Sequence, residues 1–581
     1  MGDAMHIRGA VLLLAIVLAA GCGGPARPSA GSGQPAQEGR GSPRPQVDQS
    51  RTLVIAARFE PTTLTQKALV RIAAASDNDA RSIFNAGLAV FDDQGVSRPQ
   101  LAEALPELNT DSWRVLPDGR METTYRLRPN LTWQDGTALT AEDFAFAWRV
   151  YATPELGVAG SPPIAQMEEV RAPDARTVLI RWKQPFPDAN ILSAEDFQAL
   201  PRHVLEDAYQ RDHSEAFGNL PFWTIEYLGL GPYRIDRWEP GAFLEGAAFP
   251  GYALGSPKIQ RIKMQFIADS NAVLASLLAG DVHFTVTNAI FLQQAVVLKR
   301  EWSSRAGGEV LVIPTQWRRA DMQHRPEYAS PPAIRDVLVR RALSHAIDRD
   351  ALNVAVFEGE GVVTDTPIPS SAGYYPTLDR SIAKYPHDER RTQQLMGEAG
   401  FSKGADGVFV GRAGDRFSLE AKENATADLA TELSIIASAL RGAGFDVRET
   451  LVPLSQANDG ELRGTFPAMY VGGGGIGERG VLPNYIGSTI PSSENRWVGR
   501  NRGGWSNAEY DRLFDAFSTT LDRSERDRQV VRMAQILSEE VPAISLYFNP
   551  IAVAKSGAVD GPRPYTSDGL VTWNISEWQW R

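Results

Sequence analysis

From Arg51 onward the sequence predicts a mixed α/β fold, on three observations. Short β-branched or alternating runs, Thr52 to Ala56, Thr177 to Trp182, Ile259 to Ile267 and Val310 to Ile313, have strand character. Interleaved with them, Ala141 to Tyr151, Asn271 to Ala279, Arg335 to Phe357, Leu429 to Ala443 and Arg523 to Glu540 carry apolar residues at helical spacing. The composition, 43% hydrophobic and 22% charged, suits a chain that buries a core. No period of about 20 to 50 residues repeats, so a solenoid is excluded.

In chain order, the first element is a signal peptide. Ala10 to Ala20 is an unbroken Ala, Val, Leu and Ile run behind Arg8, with Gly21 and Cys22 directly after it. That length fits a secretory h-region of roughly 7 to 15 residues and falls short of the about 20 that span a bilayer. Asp3 is unusual ahead of such a run, so Met5 is an alternative start to Met1. Leu18-Ala19-Ala20-Gly21-Cys22 resembles the bacterial lipobox, which implies cleavage after residue 21 and lipidation of Cys22; its Leu stands four residues before the Cys where three is usual. The alternative is a plain secretory signal cut near Ala20 that leaves a free thiol. Cys22 is the one cysteine, so a disulfide, a zinc-cysteine site and a catalytic thiol are excluded from the body. Gly23 to Ser50, rich in Gly, Pro, Ser and Gln and without an aromatic residue, predicts a disordered tether. It would reach on the order of 30 Å.

Within the body, Trp133-Gln134-Asp135-Gly136-Thr137 followed by Thr140-Ala141-Glu142-Asp143 predicts strand, tight turn and helix, with Thr140 as N-cap and Asp143 in the first turn. Val337, Leu338, Ala342, Leu343, Ala346 and Ile347 form the stripe of the helix predicted over 335–357. The net charge of -11 disfavours nucleic acid and anionic lipid surfaces as partners.

Few motifs carry catalytic chemistry. The seven histidines are scattered, HExxH and GxxxxGK[ST] are absent, and the nearest approach to GxSxG, Gly504-Trp505-Ser506-Asn507-Ala508, lacks its last glycine. A carboxylate pair could still form in space. Gly472-Gly473-Gly474-Gly475-Ile476-Gly477 fits GxGxxG after the strand-like Ala468 to Val471. A dinucleotide site requires a helix to open there, and Glu478-Arg479-Gly480-Val481-Leu482-Pro483 predicts none. Two readings remain for the glycines: a flexible loop, or a place where a ligand comes close to bare backbone. Trp317, beside Arg318 and Arg319, and Trp497, beside Arg496, are either core or the aromatic wall of a polar ligand site.

The ordered set of motifs resembles one family, the large extracellular solute-binding proteins of ABC importers that bind oligopeptides, dipeptides or nickel. It comprises Glu60-Pro61-Thr62-Thr63-Leu64, Gly87 to Asp92, Pro99 to Glu103, Tyr125 to Arg128, Trp133 to Asp143, Leu278 to Val282, Val339 to Arg349 and Trp505 to Asp511. The resemblance runs from Leu53 to the C-terminus. It implies an α/β, two-lobed periplasmic-binding-protein-like fold with an extra subdomain, hinged by crossing strands. Lobe one would be 51–310, with the extra subdomain at about 90–220, lobe two 311–543, and 544–581 a return to lobe one. It further implies an extracytoplasmic monomer, on the periplasmic or cell-surface side, that closes on a solute and delivers it to the permease, with no cofactor, catalytic residue or resident metal. By position, Asn85 and Asn288 from lobe one and Trp317, Gly472, Gly473, Gly474, Gly475, Tyr485 and Trp497 from lobe two are the expected ligand residues. Peptide-binding members carry a W-x-A-D-Y segment whose Asp pairs with the peptide amino terminus. Here the glycines stand in its place, so the expected solute is peptide-like or another mid-sized polar organic molecule, with Glu478 able to substitute only by reaching back. The rival functions are a secreted carboxylate-dependent hydrolase and a non-transport sensor or chaperone on the same scaffold.

Overall fold

The computed structural model describes residues 51–65, 75–156, 159–160, 162–304, 307–564 and 569–581. The expected signal peptide, the expected lipidation at Cys22 and the expected tether lie outside the described residues.

One 11-stranded sheet runs through the molecule. Its centre is two long antiparallel strands, Gly308–Met322 and Ala543–Ser556, paired from Gly308↔Ser556 to Asp321↔Ala543. At about 3.3 Å per residue each is some 50 Å long, enough to cross from one lobe to the other. At one end Phe284↔Lys555 ties the pair to Phe284–Thr285, after which come Thr52–Ala57, Arg261–Phe266, Phe243–Ala248 and Tyr233–Glu239. At the other end Trp317↔Gly474 to Met322↔Met469 ties it to Met469–Gly474, followed by Ser418–Asn424 and Asp446–Val452.

Each side of the crossing has its own core. Leu53, Ile55, Tyr233, Met264, Phe284 and Trp578 pack together in lobe one, and Ala320, Leu343, Leu419, Leu433 and Tyr547 in lobe two. A separate four-stranded sheet, with Trp113–Val115, Met121–Arg126, Thr177–Trp182 and Met167–Asp174 in spatial order, forms the extra subdomain. The Ala141–Tyr151 helix covers it, burying Phe144, Phe146 and Tyr151 with Trp133, Trp182 and Trp223. Its start is held as its sequence predicts: the Asp143 carboxylate accepts the Thr140 backbone N–H at 2.9 Å.

The helix expected over 335–357 is two helices, Val337–Ala346 and Arg349–Phe357. Ile347 is extended, and the Asp348 side chain accepts the Ala351 N–H at 2.9 Å, so it caps a new helix instead of continuing the old one. Two arginines of this motif are scaffold. Arg340, 4% exposed, donates to the Glu540 and Val541 carbonyls that end the Arg523–Glu540 helix, and Arg349 pairs with Asp365 at 2.8 Å.

Candidate functional site

Against the crossing strands, between the two lobes, lies a cavity of about 680 Å³. Lobe one supplies Ser193, Glu195, Asp196, Thr287 and Asn288; the crossing strands supply Gln316 and Asn549; lobe two supplies Gly474, Gly475, Ile476 and Arg479. Asn288 sits at φ 65, in the left-handed region that Asn tolerates better than most residues. The preceding residue is anchored, since the Thr287 N–H donates to Asp79 Oδ2 at 3.0 Å. Asp79 is 1% exposed; burial pushes its carboxyl up to about 6 even though the Thr287 hydrogen bonds pull the other way. A second cavity of about 470 Å³ shares Asn288, Gln316 and Asn549 and extends toward the Ala427–Ala443 helix. A third, about 340 Å³, shares Phe91 and Arg479 and reaches Asp188, Tyr374 and Glu478.

Ion pairs join the lobes on both sides. Asp188 of the extra subdomain meets Arg479 at 3.0 Å and Arg526 at 3.2 Å, both from lobe two. Burial resists ionisation of Asp188, and the charges of Arg479 and Arg526 outweigh it, holding the carboxyl below its ordinary value. Glu478 is engaged beside them by Arg523 at 2.9 Å and the Tyr374 hydroxyl at 3.0 Å. It is therefore committed where it stands and does not reach the glycines. Elsewhere Lys299 meets Glu360 at 2.8 Å, and Gln293 Nε2 donates to Asp428 Oδ1 at 3.2 Å.

The four glycines divide by what lies where a side chain would stand. Gly472, Gly473 and Gly474 belong to a strand, and Gly477–Val481 is one helical turn, where the sequence predicts a loop and no helix. A Cβ on Gly473 would lie 2.3 Å from the Gln316 side chain, one on Gly474 2.5 Å from Arg319 Nη1, and one on Gly475 3.0 Å from Gly480. On Gly472 it would meet nothing within 4 Å. Beneath them Arg318 is buried between Glu423, at 2.7 Å, and Glu432, which also takes the Tyr547 hydroxyl. Burial raises the Glu423 carboxyl to about 8 against the pull of Arg318.

The expected ligand residues separate accordingly. Asn288, Gly474 and Gly475 line the main cavity. Asn85 is buried beside it, donating to Gln198 Oε1 at 3.0 Å and bordering a recess of about 40 Å³. Trp317 and Tyr485 lie edge to face inside lobe two, 2% and 4% exposed. Trp497, at φ 59, packs on Gly460 and Gly464. Glu195, Asp196, Gln316, Arg479 and Asn549 carry no motif, and only the fold brings them together.

Residues 103–482, more than half of the chain, match the middle region of the bacterial extracellular solute-binding proteins, family 5. The chain belongs to that family. It is 24% identical to the oligopeptide-binding protein AppA of Bacillus subtilis over 545 residues, covering 91% of this chain and 92% of AppA. It is 24% identical to the glutathione-binding protein GsiB of Escherichia coli over 500 residues, covering 83% and 88%. In structure it resembles NikZ from Campylobacter jejuni, solved in complex with Ni(L-His), with a TM-score of 0.70 at 21% identity over 91% of this chain and 99% of that one. The two-lobed, hinged architecture is that of a solute-binding protein.

Proposed function

We propose that this chain is the lipid-anchored receptor of an ABC importer, capturing a peptide-like or other mid-sized polar organic solute between its lobes and passing it unchanged to a permease. The observation that carries the reading is the cavity of about 680 Å³ walled by both lobes. Its volume suits a small or mid-sized organic ligand. Its walls offer amide and hydroxyl groups, Ser193, Thr287, Asn288, Gln316 and Asn549, that orient a polar solute by hydrogen bonds. No carboxylate stands among Gly472 to Gly475, and Glu478 is engaged by Arg523 and Tyr374, so the carboxylates at the cavity wall are Glu195 and Asp196 from lobe one, with Asp196 Oδ2 accepting the Ser193 N–H and hydroxyl and Arg479 on the same wall. A solute amino group would be met from the opposite side to that in relatives with an Asp at the glycine position.

The lobe limits 51–310, 311–543 and 544–581 are part of this proposal, supported by the separate cores on either side of the crossing strands. So are the monomeric state and the anchor at Cys22, which holds the receptor near its permease. One measurement reads the central claims: mass spectrometry of full-length protein purified from membranes without added solute. The expected result is acyl mass on Cys22 and about one peptide-like solute per chain, recovered unchanged after incubation. Recovery of only a cleaved product moves the assignment to a hydrolase.

A further inference from the structure

Asp79, in the helix Ala75–Phe84, ties together three segments of the main cavity's wall. Its neighbour Asn78 lines that cavity itself. Its Oδ2 accepts the Thr287 N–H at 3.0 Å, which fixes the turn carrying Asn288, a residue of both large cavities. Its backbone carbonyl accepts the Thr572 hydroxyl at 3.1 Å and the Ser82 hydroxyl at 3.0 Å, so the C-terminal turn whose Gly569 and Leu570 line the cavity is held from the same residue. Three segments far apart in sequence thus meet at one buried point behind the wall.

The carboxyl at that point is poorly provided for. Oδ1 is buried without a partner in hydrogen-bonding geometry, and no cation pairs with Asp79 among the described residues. Other buried aspartates are served on both oxygens: Asp143 by the Thr140 and Arg202 N–H groups, and Asp92 by the Gln94 and Val96 N–H groups and by Arg98. A buried charge without a cation or a full set of donors is costly, whereas a neutral group of the same shape costs far less. Burial accordingly lifts the Asp79 carboxyl to about 6, against the Thr287 backbone and hydroxyl and the Val571 backbone, which pull it down. Charged neighbours do not set this balance. Residues 286–290 and 569–574 carry no titratable side chain, and Arg81, the buried charge on the same helix, stands two positions on and points to another face.

An asparagine would accept the same N–H without that cost. What the carboxyl adds is a charge that appears and disappears behind the cavity wall. Linkage fixes the direction of its effect: a carboxyl that titrates near 6 when the wall is closed over it, and near 3.9 when opened to water, favours the closed wall while it is protonated.

We propose that Asp79 is a positioning residue for capture, which as a neutral carboxyl holds Asn288 and the turn at 569–570 as one wall and on ionising loosens them. Resting on the capture reading above, this makes the cavity hold its solute more tightly in mildly acidic surroundings than at neutral pH.

Hydrogen–deuterium exchange of the full-length protein at pH 5 and 7.5, read by mass spectrometry and corrected for the intrinsic pH dependence of exchange, tests the wall with no added solute. In the parent, amides of 286–290 and 569–574 should exchange about ten-fold faster at pH 7.5, the ratio that carboxyl values of about 6 and 3.9 give between those limits. In Asp79→Asn they should exchange equally at both, at the parent's pH 5 rate. The carboxylates of the cavity wall, Glu195 and Asp196, are unchanged in that variant, so a step that survives in it overturns the role of Asp79. A parent without the step overturns the proposal even if the variant fails to fold. Mass spectrometry of the solute carried from membranes reads capture. Parent protein purified at pH 5 should retain roughly three-fold more of it than protein purified at pH 7.5, and the variant equal amounts at both. A merely structural Asp79 would leave the amount retained by the parent independent of pH; that result overturns the positioning role while leaving capture intact. The exchange step with no solute in any preparation supports the titrating wall and overturns the capture reading instead.

Discussion

At the scale of single residues, Asp79 converts burial into a pH dependence. Its carboxyl titrates near 6 in the folded chain, against about 3.9 when unfolded, so between those values the folded state holds more proton than the unfolded one. Stability from this group is therefore highest near pH 4, declines as pH rises to 6, and stays at the lower level above. Asp79→Asn keeps an acceptor for the Thr287 N–H and cannot ionise. Urea unfolding from pH 4 to 7 should show the variant gaining about 2–3 kcal/mol on the parent; parallel profiles would show that Asp79 stays charged. The glycines make a second case. Gly472→Ala should change stability by less than about 0.5 kcal/mol, because its Cβ meets nothing within 4 Å, whereas Gly474→Ala forces Arg319 off Asp321. Overpacking of that kind costs about 1–3 kcal/mol in chemical denaturation. If the two variants prove equally mild, the Arg319 placement is wrong. The sequence showed four equivalent glycines, because what replaces a missing side chain is decided by Gln316 and Arg319 on the neighbouring strand, which no local pattern discloses.

At the scale of elements, legibility followed the chemistry that ends or buries each one. Ala141–Tyr151 and Arg523–Glu540 were readable to the residue, with Thr140 and Asp522 standing at their starts. The 335–357 stretch was not, because its apolar stripe runs on through Ile347 and only the Asp348 side chain breaks it. Asp348→Ala should cost about 1 kcal/mol, the usual value of an N-cap, measured by equilibrium unfolding; no loss would mean that the second helix does not depend on its cap. The crossing strand was legible only over Val310 to Ile313. Beyond Pro314 it turns polar, and its buried arginines are accommodated by Glu423, Glu432 and Asp321 instead of by apolar neighbours. Hydropathy does not register burial of that kind, and the same blindness hid most of the cleft.

At the scale of the whole molecule, capture depends on how readily the lobes close, and the ordered motifs announced two lobes without showing what holds them together. Asp188 and Arg526 are 338 positions apart in sequence, and neither belongs to a motif. The Asp188 carboxylate faces Arg479 and Arg526 across the lobes, and Arg479 also lines the cavity, so closure and occupancy share a residue. A contact made only in the closed form adds its free energy to the apparent affinity for any solute that requires closure. Asp188→Asn keeps the shape and removes the charge, leaving Arg526 with Glu478 at 3.8 Å as its nearest remaining acid partner. Small-angle scattering of the solute-free variant should show a larger radius of gyration than the parent. Its affinity for the co-purifying solute should fall roughly ten-fold, the equivalent of about 1.4 kcal/mol. Salt should reproduce part of this in the parent, since these half-buried pairs are screened less than exposed ones but are not immune. A variant that matches the parent in both scattering and affinity would mean that closure is driven by the solute alone and that the Asp188 pairs merely accompany it.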